Sequence, residues 1–238
     1  IRRIRNKIGG KLKMVLIAIA ILIWSLFASS NVKKQFAKYS EVSSGSGLSA
    51  EDAGERILRH KDVYGVVFSR TSGVLTDAYS PKEGKIYLSE SVYGSSSVAA
   101  IAVAAHECGH AIQDSENVWF YRVRQFLAPV AGFCSNAGVW LSAIGMLLMV
   151  IPPIGFLLMY LGIAVYGFAF LFYLIMVPVE LDASKRAMKV IEELQLVSEE
   201  NYGDCKKVLK AAGNTYVAAL ASSAITLLRL VSRVRSRR

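Results

Sequence analysis

Apolar and polar positions are not interleaved evenly along the chain; they fall into long uncharged blocks set among segments of ordinary amphipathic pattern. Met14 to Phe27 is apolar and uncharged, and Ala28 to Asn31 extends it to about the length needed to cross a hydrocarbon core. It reads as an uncleaved anchor rather than a signal peptide, because Phe27-Ala28-Ser29-Ser30 only loosely approximates a small-residue cleavage site. Val130 to Ile151 and Ile154 to Val179 are two further runs separated by Pro152-Pro153, with no charged residue between Arg124 and Glu180. Two spans joined by a tight uncharged turn form a hairpin, so the segments on either side of it in the chain lie on one side of the bilayer. Ala131, Ser135, Gly138, Ser142 and Gly145 make a small-residue stripe suited to close helix packing. Ala211 to Leu228 is also uncharged but contains Asn214, Thr215, Ser222, Ser223 and Thr226; it reads as a core or interfacial helix, with a fourth span as the alternative.

The remaining segments carry water-facing patterns. Asn31 to Ser49 is polar and contains a Ser/Gly-rich piece, Ser43 to Gly47, that reads as a linker. Ser49 opens a near capping box ahead of a helix over Ala50 to His60, with Ala53, Ile57 and Leu58 as its apolar face and His60 as a surface or capping histidine. Val63 to Ser69 and Gly84 to Ser89 read as short strands, with Val74 to Tyr79 between them. Lys85 to Ser89 is read as an exposed edge that takes an extended peptide, or else as part of an ordinary hairpin. Val98 to Gln113 is Ala-rich and proline-free behind Ser95, Ser96 and Ser97, which predicts a capped helix. Lys185 to Leu194 continues as an amphipathic helix, and Ser198 caps another that reaches about Lys210.

Composition turns this pattern into a class. Apolar residues are 53% and mean hydropathy is +0.39, which with the clustering means a membrane protein with one modest domain outside the bilayer. The net charge of +10 is concentrated at the ends: residues 1–13 carry six Lys/Arg and no acid, eleven bases balance eleven acids from Asn31 to Pro129, and eleven bases face seven acids from Glu180 onward. Basic ends beside apolar segments read as anchors at an anionic lipid surface and not as nucleic-acid binders, since no stacking platform or nucleic-acid motif accompanies them. Cys108, Cys134 and Cys205 are odd in number and lack metal-ligand spacing, so they imply no disulfide framework and lean toward a reducing compartment.

The chemistry concentrates in Ala104-Ala105-His106-Glu107-Cys108-Gly109-His110-Ala111-Ile112-Gln113. Helical positions four apart lie about 40° apart around the axis, so His106 and His110 project from one face and can close on one Zn²⁺. Glu107, one residue along, is placed to work on a metal-activated water without being a ligand. Two ligands need a third. Glu180 is the first ionisable residue after the uncharged hairpin, sits where a helix leaves the membrane behind Pro178, and is costly there unless paired or metal-bound; it reads first as the third ligand and second as a helix N-terminal carboxylate stabilised by the macrodipole. Asp182 points about 200° away from Glu180 and reads as a cap or a group supporting the ligands, while Ser184 shares the Glu180 face. Tyr216 reads first as a buried tyrosine with a satisfied hydroxyl and second as a donor to a transition-state oxyanion.

These residues resemble the neutral zinc metallopeptidases of bacterial membranes, the YugP type, and more distantly the HtpX type of membrane protease. The resemblance runs from about Lys38 to Leu230 and rests on Leu75-Thr76-Asp77, Leu88-Ser89-Glu90, Ala104 to Gln113, Pro178 to Ser184, and Thr215 to Leu220. It implies a mainly α membrane protein: a zincin-like, helix-rich catalytic domain with a small β-sheet, plus transmembrane helices. It implies one Zn²⁺, ligands His106, His110 and Glu180, and Glu107 as general base. The distant relatives place Asp where this chain has Ser184, and the nearer family carries His and Asp where it has Ala78 and Ser80.

The expected organisation is a basic extension (1–13), an anchor (14–30), the first part of a zinc catalytic domain (31–129), a membrane hairpin (130–179), and the second part of that domain with a basic tail (180–238). The expected activity is a membrane-bound zinc endopeptidase acting on polypeptides, membrane proteins among them. The competing readings are a non-catalytic protein with a structural metal and a non-protease metal hydrolase. With three spans, the positive-inside rule places the site on the cytoplasmic side; a fourth span moves it outside.

Overall fold

Val32, Phe36 and Tyr39 fall on one helical stripe while Lys33, Lys34 and Lys38 fall on the other, so the helix begun in the first apolar block gains a second, water-facing reason to continue. In the computed structural model, which describes residues 2–236 and side chains from Leu12 to Ser236, α1 accordingly runs unbroken over Arg2–Ser40. The polar stretch after Asn31 is thus helix as far as Ser40, and residues 41–49, which include the expected linker Ser43 to Gly47, connect it to the next helix. Even these are pinned: Ser44 N donates to Ser96 O (2.9 Å) and Ser198 N to Ser44 O (2.8 Å). The side chains of residues 1–11, most of the basic extension, and the tail residues 237–238 lie outside the described residues.

Helix α2 (Ala50–His60) is capped by Ser49, whose hydroxyl accepts from Asp52 N. Its apolar face, Ala53, Ile57 and Leu58, is buried, and His60 at its end pairs with Glu193. Three strands come next: β1 (Val67–Thr71), β2 (Ala78–Ser80) and β3 (Lys85–Ser89), in the order β1-β3-β2. β3 pairs in parallel with β1, Val67 opposite Lys85, and antiparallel with β2, Tyr79 opposite Ile86. Lys85 to Ser89 is therefore the central strand, which corrects the reading as an exposed edge, while the hairpin reading holds in its antiparallel pairing with β2. Its alternating Ile86 and Leu88 are fully buried, as a strand covered on one face requires.

The motif helix α3 spans Val98–Ser115, with Ser97 accepting from Ala100 N at 3.2 Å. Helix α4 (Trp119–Leu147) and α5 (Pro152–Glu193) are joined through a short 3₁₀ turn, Leu148–Val150, and α5 passes Pro178 without ending. The segment expected as two pieces beyond Ser198 is one helix, α6 (Glu199–Arg235), so the last apolar run is continuous with the charged turn before it. Among the described residues, four helices are long and apolar enough to cross a membrane: those in Leu12–Ser40, Trp119–Val150, Pro152–Glu193 and Glu199–Arg235.

The chain divides into two compact units. The first comprises residues 1–27, 123–177 and 216–238; the second comprises 28–122 and 178–215 and contains the sheet, α2 and α3. The second has a continuous apolar core in which α3 supplies Ile101, Ala104, Ala105 and Cys108, the sheet Ile86 and Leu88, and α5 Ala187, Val190 and Ile191.

Candidate metal centre

Within the second unit, α3 and α5 approach to backbone contact. A Cβ added at Gly109 would lie 2.6 Å from the carbonyl oxygen of Ala183, closer than any real side chain could stand. Gly109 lies between His106 and His110, and Ala183 is three residues beyond Glu180. The missing side chain thus sets the two ligand-bearing faces against each other.

The result is a convergence of three donors. Glu180 Oε2 is 3.2 Å from His106 Nε2 and 3.6 Å from His110 Nε2, and the ligand atoms of the three residues all lie within 4.8 Å of one another. An ion about 2.1 Å from each of two donors in tetrahedral geometry holds them about 3.4 Å apart, so the two Glu180–imidazole separations fit Zn²⁺. The chemistry of the set fits as well. Glu180 is 1% exposed, and a carboxylate so withdrawn is costly to keep charged unless a cation or a strong pair compensates. Two imidazoles and one carboxylate could hold a single divalent ion and leave a fourth position open, as catalytic zinc requires.

The surroundings orient these side chains. His106 Nδ1 lies 3.2 Å from Ser184 Oγ, and His110 Nδ1 lies 3.0 Å from Gln113 Oε1, so each imidazole has a partner behind it while Nε2 faces Glu180. The His110 ring also stacks on Tyr121, with centroids 5.8 Å apart and planes 26° from parallel. Asp182 is not among the converging donors: its Oδ2 accepts from Gln113 Nε2 at 2.8 Å and from Arg186 Nε at 2.7 Å. Glu107 is buried beside His106 and makes no side-chain hydrogen bond or ion pair among the described residues. Tyr216 falls in the other unit, at the start of its 216–238 segment.

Asp77 clasps β3, accepting from Ser89 N at 2.7 Å and from Ser89 Oγ at 3.1 Å, so two short motifs that looked separate in the sequence form one contact. Burial pushes the Asp77 carboxyl up, against the pull of these hydrogen bonds. Tyr79 on β2 donates to Asp114 Oδ2 (3.1 Å) near the end of α3, and burial followed by that carboxylate pushes its hydroxyl up strongly. Sequence reasoning assigned no role to Gln113, Tyr121 or Arg186. For Gln113 a signal existed: it stands three residues past His110 and therefore on the same helical face.

A donor set of this kind in a folded unit, on a chain with membrane-length helices, is the build of a membrane zinc peptidase. The chain belongs to the family described as "putative neutral zinc metallopeptidase", which it matches over residues 14–235. It is 39% identical over 217 residues to "Putative membrane protease YugP" of Bacillus subtilis (strain 168), covering 91% of this chain and 94% of that protein. No solved structure matches the chain.

Proposed function

We propose that the protein is a membrane-bound zinc endopeptidase in which His106, His110 and Glu180 hold the metal and Glu107 is the general base. The observation that carries this reading is the convergence of the three donors within 4.8 Å, with both Glu180–imidazole separations near those around a tetrahedral ion. Zinc, when bound, supplies Lewis acidity to water and to the scissile carbonyl. Glu107 takes a proton from the attacking water and returns it to the leaving amine nitrogen. A carboxylate that no hydrogen bond engages among the described residues suits a group that must exchange protons. His106 and His110 would hold the ion through Nε2, and Asp182 and Ser184 would support the ligands.

Substrates are polypeptides, with membrane proteins favoured by the enzyme's own location. The basic ends rest on anionic lipid. With α6 counted as a fourth span, both basic ends share one side of the bilayer, and the positive-inside rule then puts them in the cytoplasm and the site outside. Protease protection of tagged termini tests this: a C-terminal tag accessible from the site's own side removes the fourth span and returns the site to the cytoplasmic side.

The function itself is tested on purified protein and its Glu107→Gln variant. Both are expected to hold one zinc, and the variant to lose cleavage of unfolded proteins by about 10²–10⁴-fold. If both hold zinc and neither cleaves, the metal is structural or serves another hydrolysis, and the peptidase reading falls.

A further inference from the structure

Gln113 is fully buried, and all its polar atoms are engaged. Its Nε2 donates to Val179 O at 2.9 Å and to Asp182 Oδ2 at 2.8 Å, and its Oε1 lies 3.0 Å from His110 Nδ1. The orientation of the amide is dictated by chemistry. A carbonyl oxygen and a carboxylate oxygen can only accept, so the nitrogen end must face α5; turned over, the amide would set Oε1 against both acceptors. Arg186 keeps Asp182 an acceptor by donating to its Oδ2 at 2.7 Å while also holding Glu116 at 2.6 Å. Oε1 therefore faces His110, and because it too can only accept, the hydrogen bond exists only when His110 Nδ1 carries the proton. A neutral imidazole has one N–H, so Nε2, the atom turned toward Glu180, presents its lone pair.

Behind His106 the partner seen is a hydroxyl. His106 Nδ1 meets the Ser184 hydroxyl, which donates or accepts with equal ease and so does not choose a tautomer. Val179 and Asp182 flank Glu180 on α5, so the group that sets His110 also grips the turn that carries the third donor. We propose that Gln113 is a positioning residue that fixes His110 as the Nδ1–H tautomer and registers the Glu180 turn of α5 against α3, readying the site before metal arrives. The inference rests on the zinc-site reading of His106, His110 and Glu180.

The test uses full-length protein in detergent, stripped of zinc and labelled with ¹⁵N-histidine, with the protonated ring nitrogen of His110 read by long-range ¹H–¹⁵N correlation at a pH where the ring is neutral. The parent is expected to carry the proton on Nδ1. In Gln113→Met the proton moves largely to Nε2, and zinc affinity by chelator competition weakens about 10–100-fold. Gln113→Glu places a second carboxylate oxygen against Val179 O and Asp182 and weakens zinc at least as much. Adding Asp182→Asn restores a donor at that junction and recovers about tenfold. A parent whose His110 carries its proton on Nε2, or a Gln113→Met protein that binds zinc within about twofold of the parent, overturns the proposal. Should Gln113→Met fail to fold, the parent spectrum and the Glu/Asn pair decide. A parent that shows the Nδ1 proton yet binds no zinc sinks the metal-site reading and leaves the tautomer assignment standing.

Discussion

In the unit formed by residues 28–122 and 178–215, large apolar side chains such as Ile86, Leu88, Ile101 and Ile191 are fully withdrawn, and Arg59, Lys33 and Lys34 stand outside. The unit formed by 1–27, 123–177 and 216–238 buries Met159 and Leu230 as well, but it also leaves Phe27 and Phe133 70% and 73% exposed and buries Ala131, Ser142, Ala169 and Ala218 between its helices. So much exposed apolar surface on membrane-length helices marks a second solvent. Where water surrounds the chain, burial of apolar area drives folding; where lipid does, apolar surface gains nothing by hiding, and close backbone packing between helices takes over. Gly138 and Gly145 show this second mode, for a Cβ on either would come within 2.7 Å of backbone on α5, at Tyr166 N and at Gly155 O or Met159 N. Gly109 uses the same device in the other unit, where it lets the helices carrying His106, His110 and Glu180 approach each other.

The largest test of the contrast is at the donors. Glu180→Ala is expected to weaken zinc on the order of 10³-fold, the scale of breaking a buried charged group's pairing, measured by chelator competition. Next in size is a matched pair of truncations. Leu88→Ala in the water-facing core is expected to cost about 2–5 kcal/mol of unfolding free energy, whereas Leu22→Ala, 58% exposed in the lipid-facing unit, stays within about 0.5 kcal/mol. Equal losses at the two positions would mean that the exposed apolar surface is not lipid-facing. A pair of glycines sharpens the comparison. Gly109→Ala should cost about 1–3 kcal/mol and weaken zinc, because Ala183 backbone stands in the way. Gly132→Ala meets nothing within 4 Å and should stabilise its helix by up to about 1 kcal/mol.

The smallest effect concerns Asp77. Its carboxyl is raised in the folded protein by burial, so its protonated form favours folding. That contribution is fully present below the ordinary aspartate range and is lost as pH rises through the raised value. Stability of the parent should therefore decline across that acid window relative to Asp77→Asn, which loses the titration, and identical pH slopes for the two proteins would exclude it.

Local signals were legible in the sequence because they act over one or two helical turns. Ser49 and Ser97 mark the starts of α2 and α3, the imidazole spacing marks a shared face, and the uncharged hairpin marks Glu180 as the first charge on its return. Longer-range facts were not. The place of Lys85–Ser89 at the centre of the sheet depends on a parallel pairing with β1 across β2, which no pattern within the strand encodes. The continuation of α1 to Ser40 depends on a core for Phe36 and Tyr39 to enter.

Sequence alone determined that the chain has membrane-length helices, that two imidazoles share a helical face with a glutamate beside them, and which carboxylate returns from the hairpin. Periodicity, charge and chain connectivity are properties of the covalent string and survive without a fold. Only the tertiary structure decided how near that carboxylate comes, that Gly109 makes the approach, and that Gln113 stands behind His110 with its amide committed to α5. Those are distances between residues some seventy positions apart, and packing of one helix on another is what sets them.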